Sequence, residues 1–243
     1  MKASGNWLRD RGTHFYRIAA LLAPLVAVAG FWLTYLQPMA ERRFSGPASA
    51  HGHGALLAGW LLLVVIQAWL IPGGLKVHRK LGWLAVLLAP AVAVSTFMVG
   101  LEAADRDIAR YGPDAAASLA GNTTAPLIFL VLVAAAIWRR RDPQWHKRFI
   151  VVATVAMLWP AWFRWRHFLP WVPQPDITLG LVVADLPIVI AMLRDRVRFG
   201  AIHPAYLWAG LPLIAEQSLE SFLFASGNPG WTAFGLTIYD LVR

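Results

Sequence analysis

The chain of 243 residues contains no cysteine. That absence excludes disulfides, thiol redox chemistry, iron–sulfur clusters and Cys-ligated zinc. Charge is also scarce, with charged residues making up only 14% of the sequence. A soluble domain carries about 25%. Several catalytic signatures are missing too: the sequence has no G-x-x-x-x-G-K-[ST], no H-E-x-x-H and no G-x-S-x-G. It has no Arg-rich voltage-sensing helix, no selectivity-filter sequence and no strong internal repeat.

What fills the space is apolar. Hydrophobic residues reach 58%, with 13 Trp and 16 Pro. This composition is that of a polytopic membrane protein, in which indoles collect at the interface and proline is tolerated in spanning helices. The net charge of +9 is therefore a topology and lipid-headgroup signal, with no nucleic-acid partner implied.

A spanning helix needs roughly 20 mainly apolar residues. Seven segments qualify, at about 16–37, 53–72, 81–101, 121–138, 149–168, 177–193 and 204–226. They predict one all-α integral-membrane domain over residues 1–243 with seven transmembrane helices. The longest stretch outside the bilayer is expected at about 102–120, and 227–243 reads as a short interfacial helix. Lys and Arg alternate between the loops without a violation. Fifteen fall on the side of Lys2, Lys76 and Arg139–Arg141, and seven on the side of Arg42, Arg106 and Arg243. The N-terminus is thus expected in the cytoplasm and the C-terminus outside, in a bacterial inner membrane.

Ionisable groups in hydrocarbon are costly, so each is a functional candidate. His51, His53 and His167 fall at the outer ends of the second and fifth helices. His78, His146 and His203 fall at the cytoplasmic ends of the third, fifth and seventh, and His14 precedes the first. His146 and His167 lie 21 residues apart on one segment, about 31 Å along a helix. Pairing His53 with His167 and His78 with His146 would place one bis-imidazole site near each membrane face, as two b-type haems require. Imidazoles capping helix ends or meeting lipid phosphates satisfy the same spacing. His51 and His53 flank a glycine and suit a metal ion only where the backbone is irregular, because i and i+2 diverge in a regular helix.

Three acids stand deeper. Asp185 and Glu216 lie near the centres of the sixth and seventh helices and are candidate proton-handling groups. Glu220 shares a face with Glu216 and is expected to pair with Arg164. Gln67 is expected to hydrogen-bond across the bundle.

The segment from His51 to Arg164 resembles a family of bacterial integral-membrane proteins of unknown function. The resemblance rests on His53 at a helix entrance, His78-Arg79-Lys80-Leu81-Gly82 opening the next helix, His146-Lys147-Arg148 opening a later one, and Arg164 followed by Leu169-Pro170. More distantly, His residues at consecutive helix ends are similar to those of cytochrome b561-type proteins. That likeness implies bis-His haem b and transmembrane electron transfer with quinone or a redox partner protein. The extra helices and the nearness of the His residues to basic loops depart from it.

Three functions stay open. The first is a haem b electron-transfer protein with a four-helix core from helices two to five. The second is a metal-dependent membrane enzyme or metal-handling factor, with zinc or copper on His78, His146 and His203. The third is a transport or assembly protein without a cofactor, whose acids line a polar cavity.

Overall fold

The computed structural model describes residues 13–243, so Lys2, Arg9 and Arg11 lie outside the described residues. All regular elements among those residues are helical. Five helices are long and apolar enough to cross a membrane: Thr13–Ala40, Ser49–Leu70, Leu75–Tyr111, Pro113–Trp138 and Asp176–Phe199. The architecture is all-α and has the composition of a multi-pass membrane protein.

We label the helices in chain order. The first two are α1 (Thr13–Ala40) and α2 (Ser49–Leu70). Next come a short basic helix, α3 (Leu75–Gly82), and α4 (Leu84–Tyr111), which begins after a bend at Trp83. The stretch expected outside the bilayer is largely helix. Glu102, Ala103, Ala104 and Ala109 favour helix, so α4 continues until Gly112, whose φ of +88° ends it in a conformation that only glycine adopts easily. A tight turn at Pro113–Ala116 then leads into α5 (Ala117–Trp138).

Two of the expected spans depart from a plain apolar helix. The region 149–168 is divided into α6 (Pro143–Ala156) and α7 (Trp159–Arg164), with a short 3₁₀ turn at Trp165–His167. Pro160 explains the break, because it lacks an N–H and its ring collides with the carbonyl four residues earlier. The region 204–226 forms a π-helical turn at Tyr206–Gly210 and then α9 (Leu211–Ala225). Its backbone is helical, but Glu216, Gln217 and Glu220 dilute its apolar content. Between these two regions lies α8 (Asp176–Phe199), which Gly200 closes with φ +76°. The tail forms α10 (Pro229–Val242), capped by the Asn228 side chain.

Helix α6 is the hub. Phe149, Val152, Ala153, Val155 and Ala156 are all buried, and α6 packs against α1, α5, α8 and the turn before α9. Helices α2, α4, α5 and α6 pack in succession, with Trp60 meeting Phe129 edge to face at 4.9 Å. Small side chains such as Ala89, Ala93, Ala120 and Ala136 are buried where helices meet. They permit the close approach on which association in lipid depends. At Gly30 an added Cβ would collide with the carbonyl of Ala161, so α1 and α7 touch backbone to backbone. The tail is more than an interfacial helix. It packs on α5 and the Pro113–Ala116 turn, and its terminal Arg243 pairs with Asp105.

Candidate functional site

At the end of the bundle that carries Lys76, Arg79, Lys80 and Arg139–Arg141, two imidazoles meet. Asp142 caps α6 by accepting from the backbone N–H groups of Gln144 and Trp145, at 2.9 Å and 3.4 Å. This fixes the start of α6 and turns His146 toward the last turn of α5. There its Nδ1 lies 2.9 Å from the carbonyl oxygen of Ala136. Gly73 and Gly74 fold α3 back over the end of α2, which sets His78 Nδ1 3.2 Å from the carbonyl oxygen of Gln67. The last carbonyls of a helix have no partner within it, so each imidazole satisfies one.

Because a carbonyl only accepts, Nδ1 carries the proton in both rings and Nε2 keeps its lone pair. This is the arrangement in which histidine binds metals. The ring centroids are 6.3 Å apart with planes at 81°. Two imidazoles that shared one metal ion would have a centroid separation of roughly this size.

Gln67 departs from expectation. Both polar atoms of its amide are buried without a hydrogen-bond partner, so it makes no bond across the bundle. A Cβ added to Gly82, one turn after His78 on α3, would lie 3.7 Å from its Nε2. The amide is thus tucked beneath the face of α3 that presents His78.

His203 is engaged elsewhere. It is buried, its Nδ1 accepts the backbone N–H of Ala205 at 3.1 Å, and its ring meets Trp145 edge to face at 5.2 Å. It caps the helix that follows. Burial and the nearby Arg148 push its pKa down to about 4, with a smaller lowering from Lys147 and an opposing pull from Asp142. Among the described residues no three His, Asp or Glu side chains gather as a metal-holding group.

On the other side, His51 and His53 both lie within the regular turns of α2 and point apart. His51 Nδ1 is 2.8 Å from the Tyr35 hydroxyl, and its ring packs on Tyr35 and Phe44. His53 Nδ1 is 3.1 Å from Ser95 Oγ. His167 is exposed in the turn after α7. No ring contact joins His53 to His167 among the described residues.

The deep acids have neutral partners. Asp185 is buried, and with its amide nitrogen facing the acid Gln217 lies 3.2 Å from both carboxylate oxygens. Glu216 and Glu220 both reach the Thr124 hydroxyl, and the Glu220 carboxyl fills the space that Gly121 leaves open. Arg164 does not pair with Glu220. Its guanidinium lies over Phe31, 4.3 Å from the ring centroid, and donates to the Pro160 carbonyl at 2.8 Å.

Sequence reasoning missed a fully buried ion pair. Arg148 Nε and Nη2 lie 2.9 Å and 2.7 Å from Asp195 Oδ2. Arg148 Nη1 donates to both the backbone and the side-chain oxygen of Gln144, at 2.9 Å and 2.8 Å. Arg194 Nη1 contacts the other Asp195 oxygen at 3.1 Å, and the Tyr206 ring faces the Arg148 guanidinium at 5.6 Å. Both residues stand in basic runs that read as loop charges. The available signal was spacing, because Arg148 shares a helical face with Val152 and Val155. The chain matches no protein-family model, no curated protein and no solved structure.

Proposed function

We propose that the chain is a seven-span protein of the bacterial inner membrane that holds haem b between His78 and His146 and passes electrons between a quinol and a partner protein. Its N-terminus is cytoplasmic, in keeping with the fifteen basic residues on that side, and the site lies at the cytoplasmic end. One observation carries the reading: the two rings stand 6.3 Å apart, and each is oriented by a backbone carbonyl that leaves Nε2 as the ligating atom. The orphaned amide of Gln67 marks the same place as one where a polar partner is missing.

When bound, haem supplies reversible one-electron chemistry. The protein's own residues do the rest. Ala136 and Gln67 hold the imidazoles by their carbonyls. Phe149, one turn beyond His146 on α6, adds apolar surface, and Arg79 and Lys80 flank the site with positive charge. Asp185 and Glu216, tethered to Gln217 and Thr124, exchange protons in this reading. His53 and His167 stay outside it, since no ring contact joins them among the described residues.

A zinc or copper ion on the same two imidazoles is the second reading, favoured by the unpartnered amide of Gln67, which could hydrogen-bond a water held by the ion. Oxidised and dithionite-reduced spectra of the purified protein, expressed with haem supplied, decide between them when metal analysis is run on the same sample. The expected result is a sharp reduced α band that disappears in both His78→Ala and His146→Ala and persists in His53→Ala. Full haem in both variants refutes the assignment. A colourless protein with stoichiometric zinc or copper establishes the second reading. A colourless, metal-free protein rejects both in favour of a transport or assembly role.

A further inference from the structure

A buried amide without partners is a cost that a folded protein rarely keeps. Leaving such a group unsatisfied costs about 1–3 kcal/mol, and most buried polar side chains find a partner. In this protein one such exception, and the one amide among the described residues with both polar atoms unpartnered, sits beside the site. Gln67 supplies the carbonyl that orients His78, while both polar atoms of its own side chain are buried and unpartnered. Gly82 faces Nε2 across a gap that any larger residue would narrow. A leucine would fill this position in a helix of apolar residues without the cost. Retaining glutamine makes sense only if something satisfies the amide part of the time.

We infer that the Gln67 amide hydrogen-bonds an oxygen of the group held between His78 and His146, and so positions that group against α2. This rests on the proposed function, because the occupant is the group assigned there. The oxygen has two sources with the same acceptor chemistry: a haem carboxylate, or a water bound to a metal ion. In either case Gln67 is a positioning residue, acting on the occupant without being an iron or metal ligand.

The inference makes two effects of one substitution run in opposite directions. Gln67→Leu keeps the approximate volume and removes the orphaned amide. The unoccupied protein should therefore melt no lower than wild type, whereas affinity for the occupant should fall about three- to tenfold, the worth of one net hydrogen bond. A purely structural role for Gln67 would lower both.

The test uses the full-length protein in detergent, freed of any bound group. Wild type and Gln67→Leu are titrated with haemin, with haemin dimethyl ester and with Zn²⁺, and each unoccupied protein is melted. Weaker binding by the variant with an undiminished melting temperature supports the inference. If the variant is weaker for haemin but equal to wild type for the ester, the partner is a haem carboxylate. If instead it is weaker for Zn²⁺, the partner is metal-bound water. Equal binding of all three probes, with an unchanged haem spectrum, overturns the role of Gln67 and leaves the His78–His146 site standing. A variant that melts lower when unoccupied also overturns it, as packing then explains the residue. Failure of wild type to bind any probe removes the proposed function and this inference together.

Discussion

Replacing Arg148 by Met should destabilise the protein by about 3 kcal/mol, and replacing Asp195 by Leu by about 4–5 kcal/mol. The inequality follows from what each change leaves behind. Both side chains have no exposed surface, so loss of either partner strands the other's charge in the interior. Without Arg148, Asp195 still has Arg194 at 3.1 Å. Without Asp195, the Arg148 guanidinium keeps the two oxygens of Gln144 and the face of the Tyr206 ring, none of which carries a net charge. The Arg148→Met, Asp195→Leu double variant removes both charges and fills the space with apolar atoms, so it should come within about 1 kcal/mol of wild type. Unfolding in mixed micelles of mild and denaturing detergent, followed by the fluorescence of the many tryptophans, measures all three. The double variant should fall at least about 3 kcal/mol short of the sum of the single losses. Additivity within about 0.5 kcal/mol would show that the pair is not energetically coupled.

His203 gives the protein an acid-sensitive element. Its folded pKa lies well below the ordinary value of 6.5, near 4, so the unfolded chain takes up a proton first as pH falls. Stability is therefore fully present above about pH 6.5 and declines toward pH 4. His203→Asn keeps a capping oxygen for the Ala205 N–H and should flatten the dependence of melting temperature on pH in that window, whereas parallel curves would contradict the assignment. At Gly121, an alanine Cβ would occupy the place of the Glu220 carboxyl and displace it from Thr124, costing about 1–3 kcal/mol. Glu220→Ala in the same chain should restore stability, and a silent Gly121→Ala would show that the carboxyl moves freely.

Hydropathy and length were enough to locate α1, α2, α4, α5 and α8, because an apolar helix in lipid must satisfy its own backbone and needs nothing from its neighbours. The departures came where partners decide. The interruption at Pro160 and the polar face of α9 depend on what α6 and α8 offer them, which periodicity does not carry. In the site, the sequence pointed to His78 and His146 as a pair, and the structure brings their rings together. His203 was grouped with them by its position at a helix end, but the Ala205 N–H and the Trp145 ring give it a different task. Asp195 stayed hidden because it is set between Arg194 and Arg196 in a run that reads as solvated. Only its approach to α6 reveals that it is buried.

The division of the central segment into α6 and α7 bears on how the protein is put into the membrane. This region carries Arg148 at one end, Arg164 and Arg166 at the other and an interrupted backbone between them, so alone it partitions poorly into lipid. Its surroundings supply what it lacks. Helix α1 meets it at Gly30 and Ala161, α5 lies along it, and α8 closes over it with Gly180 set against the Trp159 ring and Asp195 set against Arg148. The first and fourth spans leave the ribosome before it, but α8 follows. Biogenesis therefore has a point of commitment at α8: until Asp195 arrives, the Arg148 guanidinium has no counter-ion among the described residues, and a chain truncated before α8 should be recognised by membrane quality control as unfinished.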